Sequence, residues 1–184
     1  MSWDQIKSDM QNQIQKAEEA LKKDFSGLRT GRASTALLDG LMVEAYGSVV
    51  PLNQVGNVSV PDARTLSISV WDKSLIKSVE KAITEANLGL NPMNDGQLIR
   101  IPIPPLSEER RGELVKVAAR FTEDVRVAVR NHRREALDAL KAIKDSMSED
   151  DYKRYEKEVQ DLTDKAIASL DEMLKNKETE IKQV

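Results

Sequence analysis

The stretch Leu98-Ile99-Arg100-Ile101-Pro102-Ile103-Pro104-Pro105-Leu106-Ser107-Glu108-Glu109-Arg110-Arg111 changes character halfway along. Leu98–Ile103 reads as a β-strand. Pro104-Pro105 fixes an extended, semi-rigid backbone. Ser107 then offers an N-cap, with Glu108 and Glu109 favourably placed in a first helical turn. The boundary separates two kinds of chain. All six prolines lie between Pro51 and Pro105, and six of the eight glycines between Gly31 and Gly96. Residues 3–29 and 107–182 contain no proline. A helical chain has been interrupted once by a block with turn chemistry, the pattern of an inserted domain. An insertion brings two linkers side by side, and adjacent linkers make a hinge. The expected hinge is Thr30-Gly31 on one crossing and Pro104-Pro105 on the other.

Working outward, each flank carries an apolar stripe in steps of three and four, the helical period. The first stripe is Trp3, Ile6, Met10, Ile14, Ala17, Leu21, Phe25 and Leu28. The second is Leu114, Ala118, Phe121, Val125, Ala128, His132, Ala136, Leu140 and Ile143. Ser148 with Asp151 marks the next helix start. The third stripe follows as Tyr152, Tyr155, Val159, Leu162, Ala166, Leu170 and Met173. Helices this long, about 40–57 Å at 1.5 Å per residue, each with one apolar face, close into an elongated three-helix bundle. The bundle is expected to comprise 1–30 and 106–184. The block 31–105 is expected to be a small layered α/β domain. Its strands are expected at Met42–Tyr46, Val55–Val60, Thr65–Trp71 and Leu98–Ile103, with a helix at Lys73–Ala86. Turns are expected at Pro61-Asp62-Ala63 and Asn94-Asp95-Gly96. The fold class is α+β, mainly α.

The chain has no cysteine, which removes disulfides and thiolate metal sites and points to a reducing compartment. No apolar run approaches the ~20 residues of a membrane span, and the N-terminus lacks signal-peptide features. The expected setting is the cytoplasm, with no membrane partner, and the expected state is a monomer. The net charge of −3 hides a division. Residues 106–144 carry ten basic and seven acidic side chains, whereas 145–184 carry seven and twelve. Mutual neutralisation of the two helices accounts for part of this.

Little in the chain suggests catalysis. His132 is the only histidine and lies in an apolar stripe, where packing is its ordinary role. No metal-ligand set, phosphate-binding glycine loop or nucleophile elbow is present, so no cofactor and no metal are expected. The informative cluster is arginine. Arg126, Arg130 and Arg133 fall within roughly 60° of one another on a helix, off the apolar stripe, with Arg134 beside them. No carboxylate shares this narrow strip, since Glu123, Asp124 and Glu135 point elsewhere, and the row is expected to be uncompensated. Arginine suits forked contact with phosphate, so such a row fits an RNA reader that recognises shape and backbone. The plain alternative is a solvated helix face. Arg29, Arg32, Arg110 and Arg111 form a second group near the junctions.

At these residues the chain resembles the bacterial ribosome recycling factors. The resemblance is carried by Leu28-Arg29-Thr30-Gly31-Arg32-Ala33-Ser34, Leu88-Gly89-Leu90-Asn91-Pro92, Ile103-Pro104-Pro105-Leu106, Glu108-Glu109-Arg110-Arg111 and the run Val125–Arg134. It covers the whole chain in order; His132 departs from it, where an aliphatic residue is expected. The resemblance implies an L-shaped, tRNA-sized protein that acts after termination. With elongation factor G and GTP it would split the post-termination ribosome into subunits. The bundle would lie on the large subunit against ribosomal RNA, with Arg126, Arg130 and Arg133 as contacts, and the smaller domain would rotate about the hinge. A rival reading is a helical adaptor that binds another protein through its α/β domain.

Overall fold

The computed structural model describes residues 1–183, so Val184, the last residue of the expected bundle segment, lies outside the described residues. The chain divides into two compact units, residues 1–30 with the chain from Ser107 onward, and residues 31–106.

The first unit holds α1 (Trp3–Ser26), α3 (Glu108–Ala142) and α4 (Glu149–Lys182). Each begins on a serine whose hydroxyl accepts a backbone N–H three residues on: Ser2 from Gln5, Ser107 from Arg110 and Ser148 from Asp151. At Ser2 the Gln5 side chain answers by accepting the Ser2 N–H, completing a reciprocal cap. α3 packs against both α1 and α4. One core cluster holds Ile6 and Met10 of α1, Ala136 and Leu140 of α3, and Val159 of α4. Trp3 closes this cluster by stacking on Tyr155, with ring centroids 4.4 Å apart.

The stripes differ from expectation at two kinds of position. Phe121, Ala128 and His132 are only half-buried, while Val129 and Thr122 are buried. On α4 the buried polar residue is Thr163. α3 faces two partners, so its apolar arc is wider than one stripe and centred elsewhere. Threonine is admitted because Thr122 Oγ1 donates to Ala118 O and Thr163 Oγ1 to Val159 O, both at 2.8 Å. No buried hydroxyl is stranded there.

The second unit holds β1 (Met42–Ala45), β2 (Ser48–Pro51), β3 (Gly56–Asp62), β4 (Thr65–Val70), α2 (Ile76–Glu85), β5 (Met93–Asp95) and β6 (Leu98–Pro102). β1 and β2 form a two-stranded ribbon; the others form an antiparallel sheet in the order β3-β4-β6-β5. One core contains Val43 and Ala45 of the ribbon, Leu66, Ile68 and Val70 of β4, Ile99 and Ile101 of β6, and Val79 and Ile83 of α2.

Two strands, β2 and β5, were not expected. Tyr46 and Gly47, with φ of 52° and 79°, make the two-residue turn that folds β2 back onto β1, so β1 ends at Ala45. The other turns sit later than expected. Asp95 pairs with Leu98, placing the turn at Gly96-Gln97 and leaving Asn94 and Asp95 in β5. Asp62 pairs with Thr65, which puts that turn at Ala63-Arg64. The expected helix from Lys73 begins as a 3-10 turn and becomes α2 only at Ile76.

Candidate nucleic-acid interface

α3 runs as one unbroken helix through the arginine row, which fixes the spacing of Arg126, Arg130 and Arg133 along it. The three arginines differ in their surroundings. Arg126 is the most enclosed, with its side chain 20% exposed. Its Nε lies 2.8 Å from Asp171 Oδ1 on α4, and one terminal nitrogen lies 2.9 Å from Glu123 Oε2. The hydrogen bond to Asp171 is the main cause holding the guanidinium above its ordinary pKa. The Arg126 hydrogen bond likewise holds the Glu123 carboxyl below its ordinary value.

Arg130 is about half exposed and reaches Glu123 Oε1 at a longer 3.4 Å. Arg133 donates to Gln160 Oε1 of α4 at 3.1 Å, and Gln160 Nε2 donates to Asp164 Oδ1 at 2.8 Å. An open groove of about 390 Å³ between α3 and α4 is lined by Arg130, Arg133, Gln160, Thr163, Asp164 and Asp171. Arg134 is exposed.

The row is therefore not uncompensated, and that expectation is corrected. A helical wheel shows where side chains leave one helix. It does not show how far an arginine stem folds back to Glu123 or what the neighbouring helix supplies. The α4 residues were missed altogether. A signal was present in their spacing, since Gln160, Asp164 and Asp171 are separated by four and seven residues and so share a face. What remains is a graded row: Arg126 locked, Arg133 held by a neutral partner, Arg130 weakly paired and Arg134 exposed.

Among the second arginine group, Arg29, Arg110 and Arg111 belong to the helical unit and Arg32 to the other. Arg110 pairs with Glu113 at 2.9 Å. His132 is half-buried, with Nδ1 3.4 Å from Glu135 Oε2. It borders a depression between α1 and α3 that also meets Ile6, Asp9, Met10 and Lys16. Among the described residues no group of histidine and carboxylate side chains is arranged to hold a metal ion. No helix among them is long and apolar enough to cross a membrane.

These features define a class: a long three-helix bundle, interrupted in sequence by a small α+β unit, that carries a graded row of arginines on its middle helix. Residues 21–181 match the family model described as ribosome recycling factor. A ribosome-recycling factor of Rhodospirillum centenum is 58% identical over 170 residues, covering 91% of this chain and 92% of that one. One from Maricaulis maris is 50% identical with both chains covered in full. A solution structure of the ribosome recycling factor aligns with a TM-score of 0.74 at 43% identity, covering 100% of this chain and 99% of the other. A second structure, 48% identical with a TM-score of 0.64, covers 98% and 99%. It is described as models for the T. thermophilus ribosome recycling factor and the E. coli elongation factor G bound to the E. coli post-termination complex. The chain belongs to the ribosome recycling factor family.

Proposed function

We propose that this chain binds the post-termination ribosome on its large subunit and, with elongation factor G and GTP, splits it into subunits for another round of translation. The observation that carries this reading is the end-to-end match to the family, in sequence and in fold. On this reading the chain performs no bond chemistry of its own and works in the cytoplasm as a monomer. Nucleotide hydrolysis on the elongation factor supplies the free energy. The chain supplies a stiff rod, a cationic face for ribosomal RNA and a pivot in its two linkers, around Gly31 and Pro104-Pro105.

Arg130, Arg133 and Arg134 are the phosphate contacts best supported by their surroundings. Arg134 is exposed and Arg133 neutrally partnered, so both can turn to a phosphate without abandoning a carboxylate, and Arg130 gives up only its longer, exposed pair with Glu123. Arg126 contributes mainly by holding α3 to α4. Arg29, Arg110 and Arg111 of the helical unit, and Arg32 of the other, are further candidate contacts for the same RNA.

The test is light scattering of purified post-termination ribosomes mixed with the chain, elongation factor G and GTP. Scattering should fall as subunits separate, and only when all three components are present. Scattering that stays constant, with active elongation factor in the mixture, would refute the assignment.

A further inference from the structure

The backbone of α1 ends at Ser26, and its last turn closes with Leu28 N–H donating to Phe25 O. Thr30 lies beyond that turn, yet it is only 8% exposed. Its hydroxyl donates to Glu180 Oε1 on α4 at 3.2 Å, across 150 residues of sequence. The other oxygen of the same carboxylate, Oε2, accepts from Lys177 Nζ at 3.2 Å, and the Lys177 side chain is 12% exposed. Ile181, next to Glu180, is fully buried, so the last turn of α4 is itself fixed. A rigid turn thus presents a carboxylate with one oxygen on its own lysine and the other on the residue leaving α1.

Within the other unit, both linkers are held by one turn. Ala33 N–H donates to Ala63 O at 2.7 Å, and Ile103 N–H donates to Arg64 O at 2.8 Å. Ala63 and Arg64 are the two residues of the β3–β4 turn. On the first crossing, Gly31 and Arg32 therefore lie between the anchors. On the second, Pro104, Pro105 and Leu106 lie between Ile103 and the Ser107 cap. Gly31 has φ of +77°, a conformation that glycine adopts without strain. A Cβ there would lie 3.2 Å from Leu106 Cγ, so the two linkers run side by side.

We propose that Glu180 is a positioning residue, which clamps Thr30 to the helical unit and so confines bending to Gly31–Arg32 and Pro104–Leu106. Thr30 then belongs to the rod and not to the pivot. The clamp rests on the reading that the two units move relative to each other during ribosome splitting. Its role there is to deliver a push on the smaller unit through a short, defined bend instead of losing it in a slack linker. Lys177 keeps the carboxylate aimed, and the Thr30 hydroxyl meets it.

The experiment uses the full chain, whose lack of native cysteine allows clean labelling. Asn12→Cys on α1 and Lys81→Cys on α2, both exposed positions, carry nitroxides for pulsed distance measurement. Thr30→Val and Glu180→Ala should broaden the distance distribution by roughly twofold, as the Thr30 segment opens locally. Exchange of the Leu28 amide, which donates to Phe25 O in the turn leading to Thr30, should quicken by roughly tenfold, the factor that corresponds to losing one charge-assisted hydrogen bond. Thr30→Ser, which keeps the hydroxyl, should match the parent in both. With ribosomes, Thr30→Val should slow splitting severalfold while binding to large subunits stays within about twofold, because no phosphate contact is removed. An unchanged distribution and unchanged exchange in Thr30→Val overturn the clamp. A broadened distribution with undiminished splitting overturns its positioning role. Failure of the parent to split ribosomes would instead strike the functional assignment, and the clamp would then be judged on distances and exchange alone.

Discussion

Replacing Arg126 by alanine separates a residue that holds the bundle from one that reads RNA. The guanidinium bridges α3 to Asp171 on α4 and is 20% exposed, while the Asp171 side chain is 52% exposed. Solvent screens a pair of that kind, so its electrostatic share is about 1 kcal/mol or less. Loss of the packed aliphatic stem adds a comparable amount, giving roughly 1–2 kcal/mol in all. For a helical unit of this size, each kcal/mol corresponds to a fall of about 4–8 °C in the unfolding midpoint. Arg126→Ala should therefore lower the midpoint measurably, and an Arg126→Ala/Asp171→Ala cycle should show coupling between the two sites. Large-subunit binding, measured across a salt series, should keep nearly the parental slope, because no phosphate contact is lost. An unchanged midpoint together with weaker binding and a shallower salt slope would refute this reasoning and return Arg126 to the RNA face.

The complementary change, Arg133→Ala, gives up only a hydrogen bond to Gln160 within the bundle, so stability should move little while large-subunit binding weakens by roughly tenfold to a hundredfold; Arg133→Lys should recover part of it, and parental binding in both would mark a solvated face. Gly56→Ala should destabilise the α+β unit by about 1–3 kcal/mol, because the new methyl would lie 2.6 Å from the backbone oxygen of Ser69. Fluorescence of Trp71, in that unit, should register the loss while Trp3 of α1 does not. The Asp72 carboxyl is held below its ordinary pKa chiefly by the Tyr46 hydroxyl and then by Ser74. Its contribution to stability is present above the usual aspartate range and fades as pH falls through the lowered value. Tyr46→Phe should move the Asp72 titration upward, read by carboxyl NMR, and an unmoved curve would mean that the Tyr46 bond does not form in solution.

The helices were legible because a largely apolar stripe repeats at the helical period in each, along helices of 24 to 35 residues. So was β4, where Leu66, Ile68 and Val70 alternate into the core. β5 was not, because Met93, Asn94 and Asp95 are all exposed and carry no inward pattern; backbone pairing with β6 alone defines it. β2 was hidden by its turn, since a tyrosine at positive φ is not a turn signal. It takes up that conformation in a structure where its hydroxyl is tied to Asp72. Val129 and Thr122 fall outside the expected stripe because one helix's periodicity does not reveal that two neighbours share its surface. The arginine row shows the same limit. Its spacing was read correctly, but Asp171 and Gln160 lie 45 and 27 residues further on and entered only when α4 folded against α3.

The interruption of the bundle also sets an order of events during synthesis. α1 is translated long before its partners, and the α+β unit, formed by residues 31–106, is complete before α3 begins. At the roughly 5–20 residues per second typical of translation, Ile6 and Met10 wait on the order of ten seconds for Ala136, Leu140 and Val159. The insert has a core of its own to form in that interval, whereas α1 cannot bury its face. A nascent chain that stalls before α4 would carry one finished unit and two helices whose shared core lacks its α4 side. Such a product is a natural target for chaperones and proteases.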